Sequence, residues 1–199
     1  GISECSPLVS VVSNRGKRRT INNSVGKCIS CCYVKIDSEM PGKEGEIMVR
    51  GDNVMLGYYN RPQETQDVIK DGWLKTGDVG KVDEDGNLYI KGRIKNVIIT
   101  DNGKNVYPEE IEELLMENRE IEEVQVYLNT ECKITAEIYV GSENSISEEE
   151  IERCIHKANN ELPLFSQVEK IVYRSEPFKK TTSQKIIRKR GGENESTVD

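Results

Sequence analysis

Between positions 179 and 190 the chain carries six basic side chains and no acid: Lys179, Lys180, Lys185, Arg188, Lys189 and Arg190. Such a run is the usual footprint of a nucleic-acid patch or a nuclear-localisation signal. Two features argue against both. The apolar and hydroxyl pairs Ile186-Ile187 and Thr181-Thr182 interrupt it. The whole chain is also acidic, with 28 Lys+Arg against 35 Asp+Glu and a formal net charge of −7, a balance that repels a phosphate backbone. A second cluster is Cys28-Ile29-Ser30-Cys31-Cys32, whose two-residue spacer would let two thiolates grip one zinc. Tetrahedral closure needs a second pair, and Cys132, Cys154 and the single His156 do not supply it at a familiar spacing. With Cys5 these make six cysteines in 199 residues, too sparse for a disulfide scaffold, so reduced, buried structural thiols are expected. The acidic run Asp83-Glu84-Asp85-Gly86-Asn87 resembles a calcium loop only superficially: its Gly stands fourth, where such a loop needs it sixth. A hairpin turn accounts for it. Neither a Gly-x-x-x-x-Gly-Lys-Ser/Thr loop nor a Gly-x-Gly-x-x-Gly motif is present.

The elements that must position these groups change character along the chain. Short apolar or alternating runs at 25–36, 45–49, 73–82 and 88–90, broken by Gly and Pro, predict strands. Another short strand is expected at 97–99, followed by an Asp101-Asn102-Gly103 turn. Pro108-Glu109-Glu110 opens a helix whose apolar positions are Ile111, Leu114 and Leu115. Alternation predicts strands at 124–128 and 134–140. Ser147-x-x-Glu150 is a capping box for a second helix with face Ile151, Cys154, Ile155 and Ala158, ended by Pro163. His156 falls off that face and is expected in solvent. A last strand covers 170–173, and a polar tail, 191–199, is expected to be disordered. No apolar run approaches the roughly 20 residues needed to cross a bilayer. The first 13 residues lack a signal-peptide pattern, and with no initiator Met the chain is expected to be processed or a fragment.

Three stretches carry a family resemblance. They are Asp71-Gly72-Trp73-Leu74-Lys75-Thr76-Gly77-Asp78; then Gly92-Arg93-Ile94-Lys95-Asn96 running on to Asn102-Gly103-Lys104-Asn105-Val106-Tyr107-Pro108-Glu109-Glu110-Ile111-Glu112; and Pro177-Phe178-Lys179-Lys180-Thr181-Thr182-Ser183-Gln184-Lys185-Ile186-Ile187-Arg188. Together with Gly51-Asp52-Asn53-Val54-Met55-Leu56-Gly57-Tyr58-Tyr59 and Gly1-Ile2-Ser3-Glu4, they resemble the adenylate-forming superfamily, most closely the bacterial long-chain fatty-acid CoA ligases. The resemblance covers only the last part of that family's length. It implies an α+β fold: a β-rich, barrel-like subdomain at 1–92, a compact mobile α+β C-terminal domain at 93–190, and the tail.

By that resemblance the function is part of an AMP-forming ligase. A carboxylate, expected to be a fatty acid, reacts with ATP and then CoA to give acyl-CoA, AMP and pyrophosphate. Lys185 matches the catalytic lysine that meets the α-phosphate. Asp78 and Arg93 match ribose and phosphate contacts, Ser3 a phosphate contact, Glu4 the Mg²⁺ carboxylate, and Lys95 the hinge. Gly103 and Lys104 match the loop beside CoA, though a plain turn glycine and a solvated lysine explain them equally well. For Asp78 the alternative is a carboxylate capping the turn after Gly77. Ser3 and Glu4 are expected to lean on preceding chain and to be loosely held without it. Gln184 departs from the Gly that many members carry. Loading of an acyl-carrier protein, or a non-catalytic nucleotide- or CoA-binding module, are the alternative readings. The isolated chain is expected to be inactive and cytoplasmic. Its only membrane contact would be peripheral, for a lipid substrate, and no nucleic-acid partner is expected. Acyl length and oligomeric state are not encoded here.

Overall fold

The computed structural model describes residues 1–12, 24–40, 42–141, 147–182 and 184–188. The tail at 191–199, Lys189 and Arg190 of the basic run, Pro41 and Ser183 lie outside them. The chain divides into two compact units, Gly1–Lys95 and Asn96–Asp199.

The first unit is built on one sheet. Its strands are β1 (Ser10–Val11), β2 (Ser24–Cys28), β3 (Cys32–Asp37), β4 (Gly45–Gly51), β5 (Ile69–Lys70), β6 (Trp73–Val82) and β7 (Asn87–Arg93). They run in the order β1-β2-β7-β6-β4-β3, with β5 attached to β6. The pairings are antiparallel, and bulges interrupt β4–β6 and β6–β7. Such irregularities bend a strand and curl a sheet. Cys5, Val9, Cys32, Ile47, Val49, Leu74 and Leu88 form the core under it. The expected run 25–36 is broken in two: Ile29-Ser30-Cys31 turns the chain, closed by the Cys32 N–H donating to the Ile29 carbonyl at 3.3 Å. The 83–87 hairpin is as read, with Gly86 at φ +82°. One helix, α1 (Pro62–Val68), was not foreseen. It buries no residue and so shows no apolar stripe.

The second unit carries the small hairpin β8 (Ile98–Ile99) and β9 (Asn105–Val106), then α2 (Pro108–Met116). It continues with β10 (Glu123–Leu128), β11 (Ile134–Tyr139), α3 (Glu148–Glu161) and β12 (Lys170–Tyr173). β11 lies between β10, antiparallel to it, and β12, parallel to it. A parallel return needs a crossover, and α3 supplies it. Both expected helix starts hold: Pro108 at the first turn of α2, and the Ser147–Glu150 capping box with both reciprocal bonds made. Ile111 and Leu115 of α2, Ile151, Ile155 and Ala158 of α3, and Val124, Val126, Ile134, Ala136 and Ile138 of the sheet share one core. His156 is exposed. No helix among the described residues is long and apolar enough to cross a membrane, and the fold class is α+β.

Candidate active site

In the first unit, Asp78 on β6 faces Arg93 on β7 as a register partner. The Arg93 Nε lies 2.9 Å from Asp78 Oδ1, and its Nη1 donates to the Thr76 carbonyl at 3.0 Å. One guanidinium fork thus spans a carboxylate and a backbone carbonyl, the geometry that distinguishes Arg from Lys. The approach to Asp78 is shaped by Gly77, at φ +71°, whose N–H donates to Glu46 Oε1 at 3.1 Å. Thr76 Oγ1 ties the turn down, donating to the Ile47 carbonyl at 2.8 Å and accepting from the Asp78 N–H at 3.1 Å. The group that caps this turn is therefore the Thr76 hydroxyl, and the Asp78 carboxylate reaches across to Arg93. The Asp78 side chain is 14% exposed and that of Arg93 is 42% exposed, so the pair lies at the unit's surface rather than in its core.

Ser3 and Glu4 differ from expectation in being well held. Ser3–Cys5 form a 3-10 turn, closed by Ser6 at φ +56°. Cys5 is wholly buried and anchors the segment in the first core, and the Met55 N–H donates to the Glu4 carbonyl at 2.8 Å. The Tyr58 hydroxyl donates to Glu4 Oε1 at 3.0 Å. Burial first, and then this carboxylate, push the Tyr58 hydroxyl's pKa up, which keeps it a donor. Glu4 Oε2 has no hydrogen-bond partner among the described residues. One free, oriented carboxylate oxygen fits Mg²⁺, which takes one or two carboxylates beside substrate phosphates. No group of three or more His, Cys, Asp or Glu suited to a metal occurs among the described residues, the Cys28–Cys32 run included. Ser3 is exposed.

In the second unit Lys185 sits on a short hairpin arm. Lys180 and Ile186 bridge antiparallel, the Ile187 N–H donates to the Lys179 carbonyl at 2.9 Å, and the Thr181 N–H to the Lys185 carbonyl at 2.8 Å. Lys185 is exposed at the end of this arm and has no ion-pair partner among the described residues. Both legs are fixed to the body of the unit. On one, Phe178 is buried and its N–H donates to Glu123 Oε2 at 2.7 Å, while Lys180 Nζ pairs with Glu123 Oε1. On the other, Arg188 Nη1 donates to Glu112 Oε1 at 2.7 Å and its Nη2 to Oε2. Burial pushes the Glu112 carboxyl up, and Arg188 pulls it the opposite way. Gln184 has φ +62°, the left-handed region that glycine enters without strain. The two-carboxylate anchoring was not read from the sequence, because Glu112 and Arg188 are 76 positions apart.

The remaining candidates sit on other elements of their own units. Lys95 is exposed in the 3-10 turn Ile94–Asn96. Gly103 closes the β8–β9 hairpin at φ +68°, its N–H donating to the Thr100 carbonyl at 2.8 Å, and a Cβ there would meet open space. The turn alone therefore accounts for the glycine. Lys104 is exposed beside it, its N–H and carbonyl both bonded to Thr100.

A curled antiparallel sheet bearing a carboxylate–guanidinium pair, followed by a small α+β unit with an exposed lysine arm, defines a class. Residues 1–59 match the AMP-binding enzyme family and residues 95–194 the AMP-binding enzyme C-terminal domain, and the chain belongs to this family. Among curated relatives, the long-chain-fatty-acid–CoA ligase of Salmonella typhimurium is 44% identical over 129 residues, 62% of this chain and 22% of that protein. The 2-succinylbenzoate–CoA ligase of Bacillus cereus is 36% identical over 173 residues, 83% of this chain and 35% of that protein. Among solved structures, the O-succinylbenzoate coenzyme A synthetase MenE of Bacillus subtilis, in complex with ATP and magnesium ion, matches with a TM-score of 0.78 at 28% identity. That match covers 94% of this chain and 39% of that one. ATP-bound MatB from Rhodopseudomonas palustris matches with a TM-score of 0.72 at 28% identity, over 92% and 37%. The chain thus spans well under half the length of each of these proteins.

Proposed function

We propose that this chain is the C-terminal part of an ATP-dependent acid–thiol ligase acting on a fatty acid in the cytoplasm. In the first half-reaction the carboxylate attacks the α-phosphorus of ATP, forming an acyl-adenylate and releasing pyrophosphate. In the second, the CoA sulfur attacks the acyl carbon and AMP leaves. Asp78 and Arg93 receive the ribose, one as acceptor from its hydroxyls and the other as a donor fork. Lys185 brings an ammonium to the oxygens around the α-phosphorus, where charge spreads in the transition state. Glu4 and Ser3 lie on the phosphate side, Glu4 as the carboxylate for Mg²⁺. Bound there, Mg²⁺ would neutralise phosphate charge. Lys95 serves as the hinge, and Gly103 with Lys104 borders the CoA arm.

The observation that supports this reading is the Lys185 arm: an exposed ammonium with no ion-pair partner among the described residues, on a hairpin whose legs are anchored to the buried Glu123 and the mostly buried Glu112 carboxylates. A lysine kept merely for solubility would need no such mounting. The decisive measurement is pyrophosphate exchange in the complete enzyme with fatty acid and ATP. Lys185→Ala is expected to lower it roughly 100- to 1,000-fold, the size of effect seen when one transition-state charge contact is removed. Thioester formation from supplied acyl-adenylate should persist. An unchanged exchange rate would sink the assignment.

The second reading keeps the chemistry and changes the acid to an aromatic dicarboxylate of the succinylbenzoate kind. It is favoured by the relative that matches the larger share of this chain, 83% against 62%. Exchange rates of the complete enzyme with a fatty acid and with 2-succinylbenzoate separate the two.

A further inference from the structure

The arm that carries Lys185 is mounted in a way that the chemistry alone does not require. Arg188 ends one leg, three residues beyond Lys185, and it is gripped at two points by Glu112 from α2. The Glu112 side chain is only 13% exposed, and its Oε1 also accepts the Val126 N–H of β10 at 2.7 Å. A carboxylate buried this far destabilises a fold unless it is paired and fully bonded, and α2 uses Ile111 and Leu115 at its other inward positions. Arg188 Nη2 lies 3.5 Å from Glu109 Oε1 as well, and that oxygen accepts from Asn96 Nδ2 at 2.6 Å. A continuous polar chain thus runs from Asn96, the first residue of the second unit, through Glu109 and Arg188 to the arm. The other leg is fixed independently by Phe178 and Lys180 on Glu123.

We propose that Glu112, through its two-point grip on Arg188, is a positioning residue that sets the reach of Lys185. This rests on the reading of Lys185 given above. Three residues of extended chain separate Arg188 from Lys185, a lever of about 10 Å. On such a lever a rotation of roughly 6° moves the lysine by about 1 Å, and misplacement of that size can cost on the order of 100-fold in rate. A single-point contact leaves that rotation free. A fork on a carboxylate, combined with a separate anchor on the other leg, removes it.

The first arm of the test uses the full chain and no activity. Amide hydrogen exchange is followed by mass spectrometry in Glu112→Gln and Arg188→Lys. Glutamine keeps the acceptor for Val126 but loses the fork, and lysine keeps the charge but makes one contact. Exchange across 179–188 is expected to quicken about 10-fold or more in Glu112→Gln, the loss of a charged hydrogen-bonded pair, and by less in Arg188→Lys. Exchange in β10 and β11 should stay unchanged. An unchanged arm, or the same acceleration throughout the unit, would overturn the proposal, the latter because it marks a purely structural role.

The second arm uses the complete enzyme. Glu112→Gln should lower kcat for acyl-adenylate formation about 10-fold, with the KM for ATP and thioester formation from supplied acyl-adenylate little changed. Equal losses in both half-reactions would refute it. The two failures separate cleanly. A loosened arm with Lys185→Ala fully active removes the catalytic reading and leaves the clamp, whereas a rigid arm in Glu112→Gln removes the clamp and leaves Lys185.

Discussion

Gln184 offers a direct measure of how the Lys185 arm is built. Its backbone lies at φ +62°, one position before Lys185, in the hairpin closed by the Gln184 N–H donating to the Thr181 carbonyl at 2.9 Å. A residue with a Cβ pays about 1–2 kcal/mol to occupy the left-handed region, and glycine does not. Glycine also gains freedom in the open arm, which offsets about 0.5–1 kcal/mol of that relief. The Gln184 side chain is exposed, so its removal forfeits little packing. Gln184→Gly should therefore favour the closed hairpin by about 0.5–1 kcal/mol, a two- to fivefold shift in its population. Amide exchange by NMR reads this directly: the Thr181 and Ile187 N–H groups, which donate across the hairpin, should exchange two- to fivefold more slowly than in the native chain. Gly103→Ala is the converse control. It puts a Cβ into open space at φ +68°, so any loss of protection in the β8–β9 turn is conformational rather than steric. Faster exchange in Gln184→Gly would refute the reasoning, because it would mean that the glutamine side chain holds the turn.

Three other outcomes follow from the geometry. Asp78→Asn should weaken AMP binding to the complete enzyme roughly 10-fold by calorimetry, and it should lower the melting temperature only modestly because the Arg93 side chain is 42% exposed and keeps its bond to the Thr76 carbonyl. Iodoacetamide at pH 8 should label the exposed Cys31 and Cys132 first; burial lifts Cys5 to about 11 and Cys28 to about 12, so those thiols carry little thiolate, and their early labelling would contradict the packing. Hydrogen bonds from Asn87 hold the Asp83 carboxyl below the usual range, and those from Ser147 do the same for Glu150. Their stabilisation is present above the unfolded pKa and is lost as pH falls through the lower folded value. Stability to urea should therefore drop as pH falls below about 4, and less steeply in Glu150→Gln.

What could be read in advance was local. Ser147 and Glu150 are three residues apart and answer each other's backbone, so their box was visible in the sequence, as was Pro108 at a helix start. The alternation from Ile134 to Ile138 announced β11 even though that strand proved buried on both faces. The break at 29–31 was hidden because Ile29, Ser30 and Cys31 include no Gly, Pro or Asn to mark a turn. α1 was hidden for the opposite reason: a short helix with nothing buried carries no period. The site divides in the same way. Lys185, Asp78 and Arg93 are candidates by the wording of their stretches, and the β6–β7 register sets two of them opposite each other. Thr76, Tyr58, Glu112 and Glu123 were missed as partners, because long-range hydrogen bonds leave no trace in spacing.

The anchoring of the arm also gives a physical reason for two of the sequence stretches to occur together. Glu112 closes the stretch that begins at Asn102, and Arg188 closes the one that begins at Pro177. Read singly, each is an amphipathic helix start or a basic loop. Joined, they meet in one bonded cluster, with the mostly buried Glu112 carboxylate on α2 held by the Arg188 guanidinium and by the Val126 N–H. An exposed lysine stem is flexible, and that flexibility must be taken up somewhere if its ammonium is to meet a transferring phosphoryl group within about an ångström. The molecule leaves the side chain free and stiffens the backbone that bears it. That division keeps the ammonium mobile while fixing the backbone beneath it, and it places the cost of rigidity in the Glu112–Arg188 and Glu123–Lys180 pairs.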